Sequence, residues 1–358
     1  MNTVDRSMRR SVRIIAWMLG FLLLLPGLML AFFYVQSPPD AGEPLADARE
    51  IPHPTVTAHR GASWIAPEST AAAYELARDV GAHYLEADLQ RTRDGMIVAF
   101  HDRTLRRTTN VEEVFPERVH EPIERFTLDE LRKLDHGSWF NEAFPSRARD
   151  SYAGLGPVTL QELLTIAEDG NNNPGLYLET KAAERHPGIE DDILEILEDA
   201  GWHPDAPTPD PPDPAANEQF GAPNVDVASG RARIIFQSFH PPSVDTLVTL
   251  APDVPVVYLI SRRMARADGF TTHLDRAVDM GTAGVGLGRQ LGFPWQIRQA
   301  HDRELLVHNY TINSPWQMRQ LRWSGADGIF TNRSDVALET YGWADEIDVA
   351  AIIQARGD

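Results

Sequence analysis

The chain has 358 residues and no cysteine, which excludes disulfides and thiolate metal sites and leaves the redox compartment open. It also lacks positive charge in excess. Lys and Arg number 33 against 52 Asp and Glu, a formal net charge of −19, so there is no basic stripe to neutralise the phosphates of a nucleic acid partner. Long apolar runs are missing except for one. Residues 14–35 form an almost unbroken run of about 22 residues, long enough to cross a hydrocarbon layer of ~30 Å as a helix. Arg6, Arg9, Arg10 and Arg13 precede it, and the first charges behind it are Asp40 and Glu43. The positive-inside rule therefore keeps residues 1–13 in the cytoplasm and sends the rest across as a single-pass membrane protein. A cleaved signal peptide is the rival reading, although such apolar cores usually run to only about 7–15 residues. Residues 36–54 are rich in Pro, Asp, Glu and Ala and read as a flexible linker spanning roughly 25 Å.

From residue 55 onward short β-rich runs alternate with helical patterns, as a parallel barrel requires. Strands are expected at 55–59, 83–89, 96–101, 176–180, 234–239, 254–260, 283–288, 305–310 and 328–331, with helices such as 69–80 and 189–199 between them. The fold class expected is therefore α/β, an eight-stranded (β/α)8 TIM barrel over residues 55–340, followed by a tail at 341–358. Nine strands are one too many. The surplus falls to a hairpin at Asp94-Gly95, which makes the barrel irregular near its second strand. Residues 103–156, after the third strand, break the alternation and read as an insertion over the barrel mouth. The Pro- and Asp-dense stretch 202–230 reads as a surface excursion, since residues 204–214 cannot bury a core.

The chemistry gathers in three short stretches. Glu86 and Asp88 are two apart in a β-rich run, so both carboxylates leave one face of the strand. Unpaired, they would repel and raise each other's pKa, which favours a cation between them over a solvated acidic face. Asp94-Gly95 as a two-residue hairpin loop would pair Arg93 with Met96 and place His101 opposite Asp88. A strand-end histidine bonded to a backbone carbonyl is the plainer alternative.

His59-Arg60-Gly61, Pro67-Glu68-Ser69-Thr70, Glu86-Ala87-Asp88, Thr92-Arg93-Asp94-Gly95, His101-Asp102 and Arg107-Thr108-Thr109, in that order and spacing, resemble the glycerophosphodiester phosphodiesterases. The likeness continues through Pro157 to Glu162, Glu179-Thr180-Lys181, Gln237-Ser238-Phe239, Tyr310 to Asn313 and Asp327 to Asn332. With the apolar run in front, the chain resembles a membrane-anchored, bacterial-type member. It departs from the family pattern at Ser69, where Asn is usual, and at Tyr310, where Trp is usual. Ser69 is expected to cap the following helix.

In a barrel, ligands collect at the carboxyl ends of the strands, where His59, Glu86, Asp88, Glu179, Gln237 and Tyr310 all fall. Glu86, Asp88 and Glu179, with no Cys, suit a hard divalent cation, Ca²⁺ or Mg²⁺, with zinc left open by the nearby histidines. Arg60 and Lys181 are candidates for holding phosphoryl oxygens. The resemblance implies hydrolysis of a glycerophosphodiester to glycerol 3-phosphate and an alcohol, with His59 and His101 as an acid–base pair of undecided order. Two alternatives stay open. Trp64-Ile65, Trp139-Phe140 and Phe144 would suit an acyl chain if they collect at the mouth, making lysophospholipids substrates for a lysophospholipase D activity. A barrel without chemistry would be a membrane-tethered binding module. Among the other histidines, His240 is held in reserve, while His53, His203, His301 and His308 read as structural.

Overall fold

The computed structural model describes residues 17, 20, 38–203, 213 and 217–357. Ten strands form one sheet: β1 (Thr55–His59), β2 (Tyr84–Arg91), β3 (Ile97–Ala99), β4 (Val158–Thr159), β5 (Gly175–Thr180), β6 (Ile234–Ser238), β7 (Val256–Ile260), β8 (Gly284–Gly288), β9 (Leu306–Tyr310) and β10 (Gly328–Thr331). Eight of them, β1, β2 and β5 to β10, pair in parallel, and β1 pairs with both β2 and β10, so the barrel closes. Every residue of β5 to β8 is buried, as a strand covered by helices outside and by neighbours inside must be.

The surplus strand is where the sequence placed it, with one difference. Leu89 pairs with Ala99, Gln90 with Val98 and Arg91 with Ile97, and the Phe100 N–H donates to the Asp88 carbonyl at 2.8 Å. Phe100, not His101, therefore lies opposite Asp88. The register slips by one because the loop holds three residues, Arg93 to Gly95. Thr92 N–H donates to the Met96 carbonyl at 2.9 Å, Met96 N–H donates back to Thr92 Oγ1 at 2.9 Å, and Gly95 takes a φ of 87°. Asp94 Oδ1 accepts the Thr92 hydroxyl at 2.6 Å and the Leu128 N–H at 3.1 Å, which ties the turn to the insertion.

The insertion carries two small cores of its own. Leu105, Val111, Ile123, Phe126, Leu128, Leu131 and Leu134 bury Val98 and Phe100 of the hairpin, and Phe140 and Tyr152 close on Ala66 and Ala73. The acyl-chain surface expected at the mouth is not assembled. Phe140 is fully buried, and Trp139 and Phe144 pack around it. Only Trp64 is exposed. These aromatics hold the insertion on the barrel.

Three stretches read as loose are packed. Within residues 36–54, Glu43–Asp47 is helical, and Ala46 and Ile51 are buried against Tyr84, Tyr177 and Phe330. The segment plugs the amino end of the barrel: Arg322 bonds Pro39 and Asp40, His53 bonds Asp327 at 3.3 Å, and a Cβ on Gly42 would lie 1.7 Å from Asp327 Oδ1. Two or three apolar anchors suffice for a plug, and so few leave no periodicity to read. The expected tail contains a helix, Val349–Arg356, that buries Ile352 and Ile353 and ties Arg356 to Asp79 at 2.7 Å. Within 202–230, Trp202 is buried and bonded to Glu168 at 2.5 Å, and Val225 and Val227 join the plug. Residues 204–212 and 214–216 lie outside the described residues. So do residues 1–16, 18–19 and 21–37, which contain nearly all of the expected 14–35 span. Among the described residues no helix is long and apolar enough to cross a membrane.

Ser69 does not cap the next helix, which runs Ala71–Val80 with Thr70 at its N-cap. Ser69 instead takes a φ of 59°. Asn tolerates that left-handed region better than Ser, which accounts for Asn being usual there.

Three histidines away from the mouth are walled in by the fold. Burial pushes His83 down to about 3, and His136 and His308 each to about 4. In the unfolded chain they take up protons below pH ~6.5, while the folded chain refuses them until roughly pH 3–4. Stability held above pH ~6.5 is therefore lost as the pH falls toward 4. Denaturant titrations at pH 7 and pH 4.5 should give a lower midpoint at the acid pH, and replacing His83 by Gln should flatten that dependence.

Candidate active site

The site is set by strand register. β1 and β2 bring His59 beside Glu86, β2 and β5 bring Asp88 beside Glu179, and β5 and β6 bring Glu179 beside Gln237. After β1 the backbone turns sharply: Arg60 takes a φ of 57° and Gly61 of 81°. A Cβ on Gly61 would fall 2.5 Å from the Ala73 backbone, so only glycine lets the loop sit against the next helix. The turn aims Arg60 N–H at Glu86 Oε2, 2.8 Å away.

All nine residues singled out above, His59, Arg60, Glu86, Asp88, His101, Glu179, Lys181, Gln237 and Tyr310, line one cavity of about 180 Å³. Phe239, Leu259, Thr311 and Phe330 complete its wall. His240 does not enter it. His101 arrives in spite of the shifted register, because it lies just beyond β3.

Glu86, Asp88 and Glu179 are all buried, with an oxygen from each within 4.8 Å of the others. Lys181 Nζ lies 3.0 Å from both Asp88 Oδ1 and Glu179 Oε1, and Arg60 Nε lies 3.1 Å from Asp88 Oδ2. Burial and the neighbouring Asp88 raise Glu86 well above the ordinary carboxylate range, against the pull of Arg60. Burial likewise raises Glu179, partly offset by Lys181. Burial would do the same to Asp88, but Lys181 and Arg60 hold it far below. Both cations expected to hold phosphoryl oxygens are thus already engaged by carboxylates while still facing the cavity. The donor set fits a hard divalent ion: oxygen ligands only, repulsion only partly relieved at Glu86 and Glu179, and buried Gln237 Oε1 and Tyr310 Oη left with no hydrogen-bond partner.

The two histidines are held differently. His59 Nδ1 lies 2.8 Å from Asn332 Oδ1, while His101 Nδ1 lies 2.7 Å from Asp102 Oδ1. Burial, with Arg60 beside it, pushes His59 down to about 3, so its ring is neutral. A chain of ion pairs runs behind His101: Asp102 to Arg107 at 2.6 Å, Arg107 to Glu68 at 2.7 Å, and Glu68 to Arg60 at 2.8 Å. Against the cost of burial, Arg107 and Arg60 pull Glu68 down to about 2.

A sequence profile of the glycerophosphoryl diester phosphodiesterase family matches residues 59–336. The chain belongs to that family. Its sequence is 32% identical over 285 residues to the glycerophosphodiester phosphodiesterase of Bacillus subtilis (strain 168), covering 78% of this chain and 83% of the relative. Among solved structures, the fold is similar to an Oleispira antarctica phosphodiesterase in complex with the product sn-glycerol-3-phosphate (TM-score 0.63, 23% identity, 81% of this chain and 97% of that one). It is also similar to a glycerophosphodiester phosphodiesterase from Thermotoga maritima (TM-score 0.53, 20% identity, 80% and 96%). The chain is accordingly a phosphoric diester hydrolase by family.

For this family member, the sequence reading gave no role to Asn332, Glu68, Asp102 or Arg107. All four lay inside motifs already picked out, and that shared membership was the available signal. Asp102→Ala and Asn332→Ala should each lower kcat by about tenfold or more, part of the ~100-fold an acid–base histidine supplies, with KM within about twofold. Steady-state kinetics on the two variants checks this. An equal loss in KM would make them substrate-binding residues instead.

Proposed function

We propose that the chain hydrolyses glycerophosphodiesters to glycerol 3-phosphate and an alcohol, with a divalent cation, Ca²⁺ or Mg²⁺, held by Glu86, Asp88 and Glu179. The observation that carries the reading is one cavity lined by three buried carboxylates, two cations and two differently backed histidines. When bound, the cation would neutralise charge on the phosphoryl group. Arg60 and Lys181, at the same wall, orient the phosphoryl oxygens. His59 has a neutral ring, and with Nδ1–H donated to Asn332 it keeps a lone pair on Nε2. We assign it as the base that takes the proton of the attacking oxygen, the diester's own hydroxyl or water, with one water consumed overall. His101 is backed by the anionic Asp102 rather than an amide, and it gives a proton to the leaving oxygen. Phe239, Leu259 and Phe330 form the apolar part of the same wall.

The test is release of glycerol 3-phosphate by the purified domain with Ca²⁺, with Mg²⁺ and in chelator. Glu86→Ala, Asp88→Ala and Glu179→Ala should each abolish both cation binding and turnover. His59→Ala and His101→Ala should cost at least ~100-fold in turnover and leave cation affinity intact. Full activity in chelator would falsify the metal assignment. Retention of both histidines and all three carboxylates favours catalysis over a binding module.

Residues 14–35 supply the anchor in this reading, with the amino terminus cytoplasmic and the barrel on the other side. The described chain enters at the amino end of the strands, opposite the cavity. An anchored barrel thus presents its mouth away from the bilayer, which favours water-soluble diesters over lysophospholipids. The full-length protein should sediment with membranes, and protease added outside the opened outer barrier should digest the barrel. A soluble mature chain lacking residues 1–35 overturns the anchor.

A further inference from the structure

Beside the cavity, two arginines share one exposed tryptophan. The Arg147 guanidinium, from the insertion, lies 4.4 Å from the Trp64 ring centre, and that of Arg333, just past β10, lies 5.1 Å away. Among the described residues neither is paired with a carboxylate, in a chain whose net charge is −19. Arg147 spends one N–H on the Trp64 carbonyl. Arg333 Nε is buried with no hydrogen-bond partner. Asp335 bears on Arg333 electrostatically from beyond ion-pair distance. Burial and Arg333 together push Arg147 downward, as expected of two like charges held close with nothing between them.

The cluster is tied to the reaction centre. Trp64 N–H donates to the Asn332 carbonyl at 3.0 Å, and the Asn332 side chain holds His59. Yet Trp64, Arg147 and Arg333 do not line the cavity that would hold the scissile phosphate. A ligand that meets both must carry a second anionic group. We propose that Arg147 and Arg333, on the platform of Trp64, form a second anion subsite that selects diesters whose alcohol arm bears a phosphate or carboxylate. Guanidinium forks suit both groups. A lipid surface is the other source of such anions. It is disfavoured because residues 38–54 pack at the opposite end of the barrel.

This inference rests on the diesterase reading, and the experiment separates the two. KM is measured for glycerophosphoglycerol and for the same diester carrying a terminal phosphate on its alcohol arm. The wild type should show a KM about tenfold lower for the phosphorylated diester at low salt, with the gap narrowing at high salt. R147Q and R333Q should each raise that KM about fivefold to tenfold and leave the neutral diester unchanged, while R147K keeps part of the preference. Equal KM values in the wild type overturn the subsite while leaving the diesterase reading intact. So does a variant that impairs both substrates alike, which makes the cluster a latch for the insertion. Variants that lose binding to phosphatidylglycerol vesicles without any KM difference overturn it in favour of a membrane. Failure to turn over either diester removes the parent reading and this one with it.

Discussion

Everything at the mouth depends on keeping three carboxylates buried at the ends of β2 and β5. Isolated, each would neutralise rather than stay charged away from water. Two cations, Lys181 and Arg60, converge on Asp88 and fix it as the anion of the cluster, which leaves Glu86 and Glu179 with their repulsion only partly answered. With all three acids ionised, as cation binding would require, three acids and two bases would leave one excess negative charge. The proposed divalent ion would turn that into one excess positive charge, the complement of a singly charged phosphodiester. With the proposed cation bound, the pocket would thus suit a phosphodiester through charge balance.

The rest of the fold serves that balance. Arg60 reaches Asp88 and Glu86 only because the chain leaves β1 through two successive positive-φ residues, and Gly61 is required for the second of them. Glu68 steadies Arg60 from behind, and Arg107 steadies Glu68. Arg107 lies in the insertion, so closing the insertion and orienting His101 through Asp102 are a single event. Arg107 is 44% exposed, so its pairs add little to global stability. Loosening the insertion should therefore be felt at the histidine before it is felt in global stability.

How much of this was legible in the sequence depends on the range of the interactions. Glu86 with Asp88, and Glu179 with Lys181, share faces by the two-residue strand period, and the parallel barrel places every strand's carboxyl end at one mouth. Those four could be named on that basis, while His59, Arg60, Gln237 and Tyr310 rested on the family resemblance. The hairpin register could not, because it turns on Thr92 Oγ1 and on Asp94 being recruited by Leu128, 34 residues away. The plug formed by 38–54 and the helix at Val349–Arg356 were missed for a related reason. Each docks through two or three apolar side chains onto a surface that exists only once the barrel is closed, so no local pattern announces it.

The aromatics of the insertion show the same limit in sharper form. Trp64, Trp139, Phe140 and Phe144 look alike in sequence, and any of them could have faced a ligand. In the fold Phe140 is spent on Tyr152 and Ala73, Trp139 and Phe144 on Phe140, and Trp64 alone stays exposed. It is not a bare apolar surface, because Arg147 and Arg333 lie against its ring. What composition suggests is a greasy mouth is, around Trp64, an electropositive one.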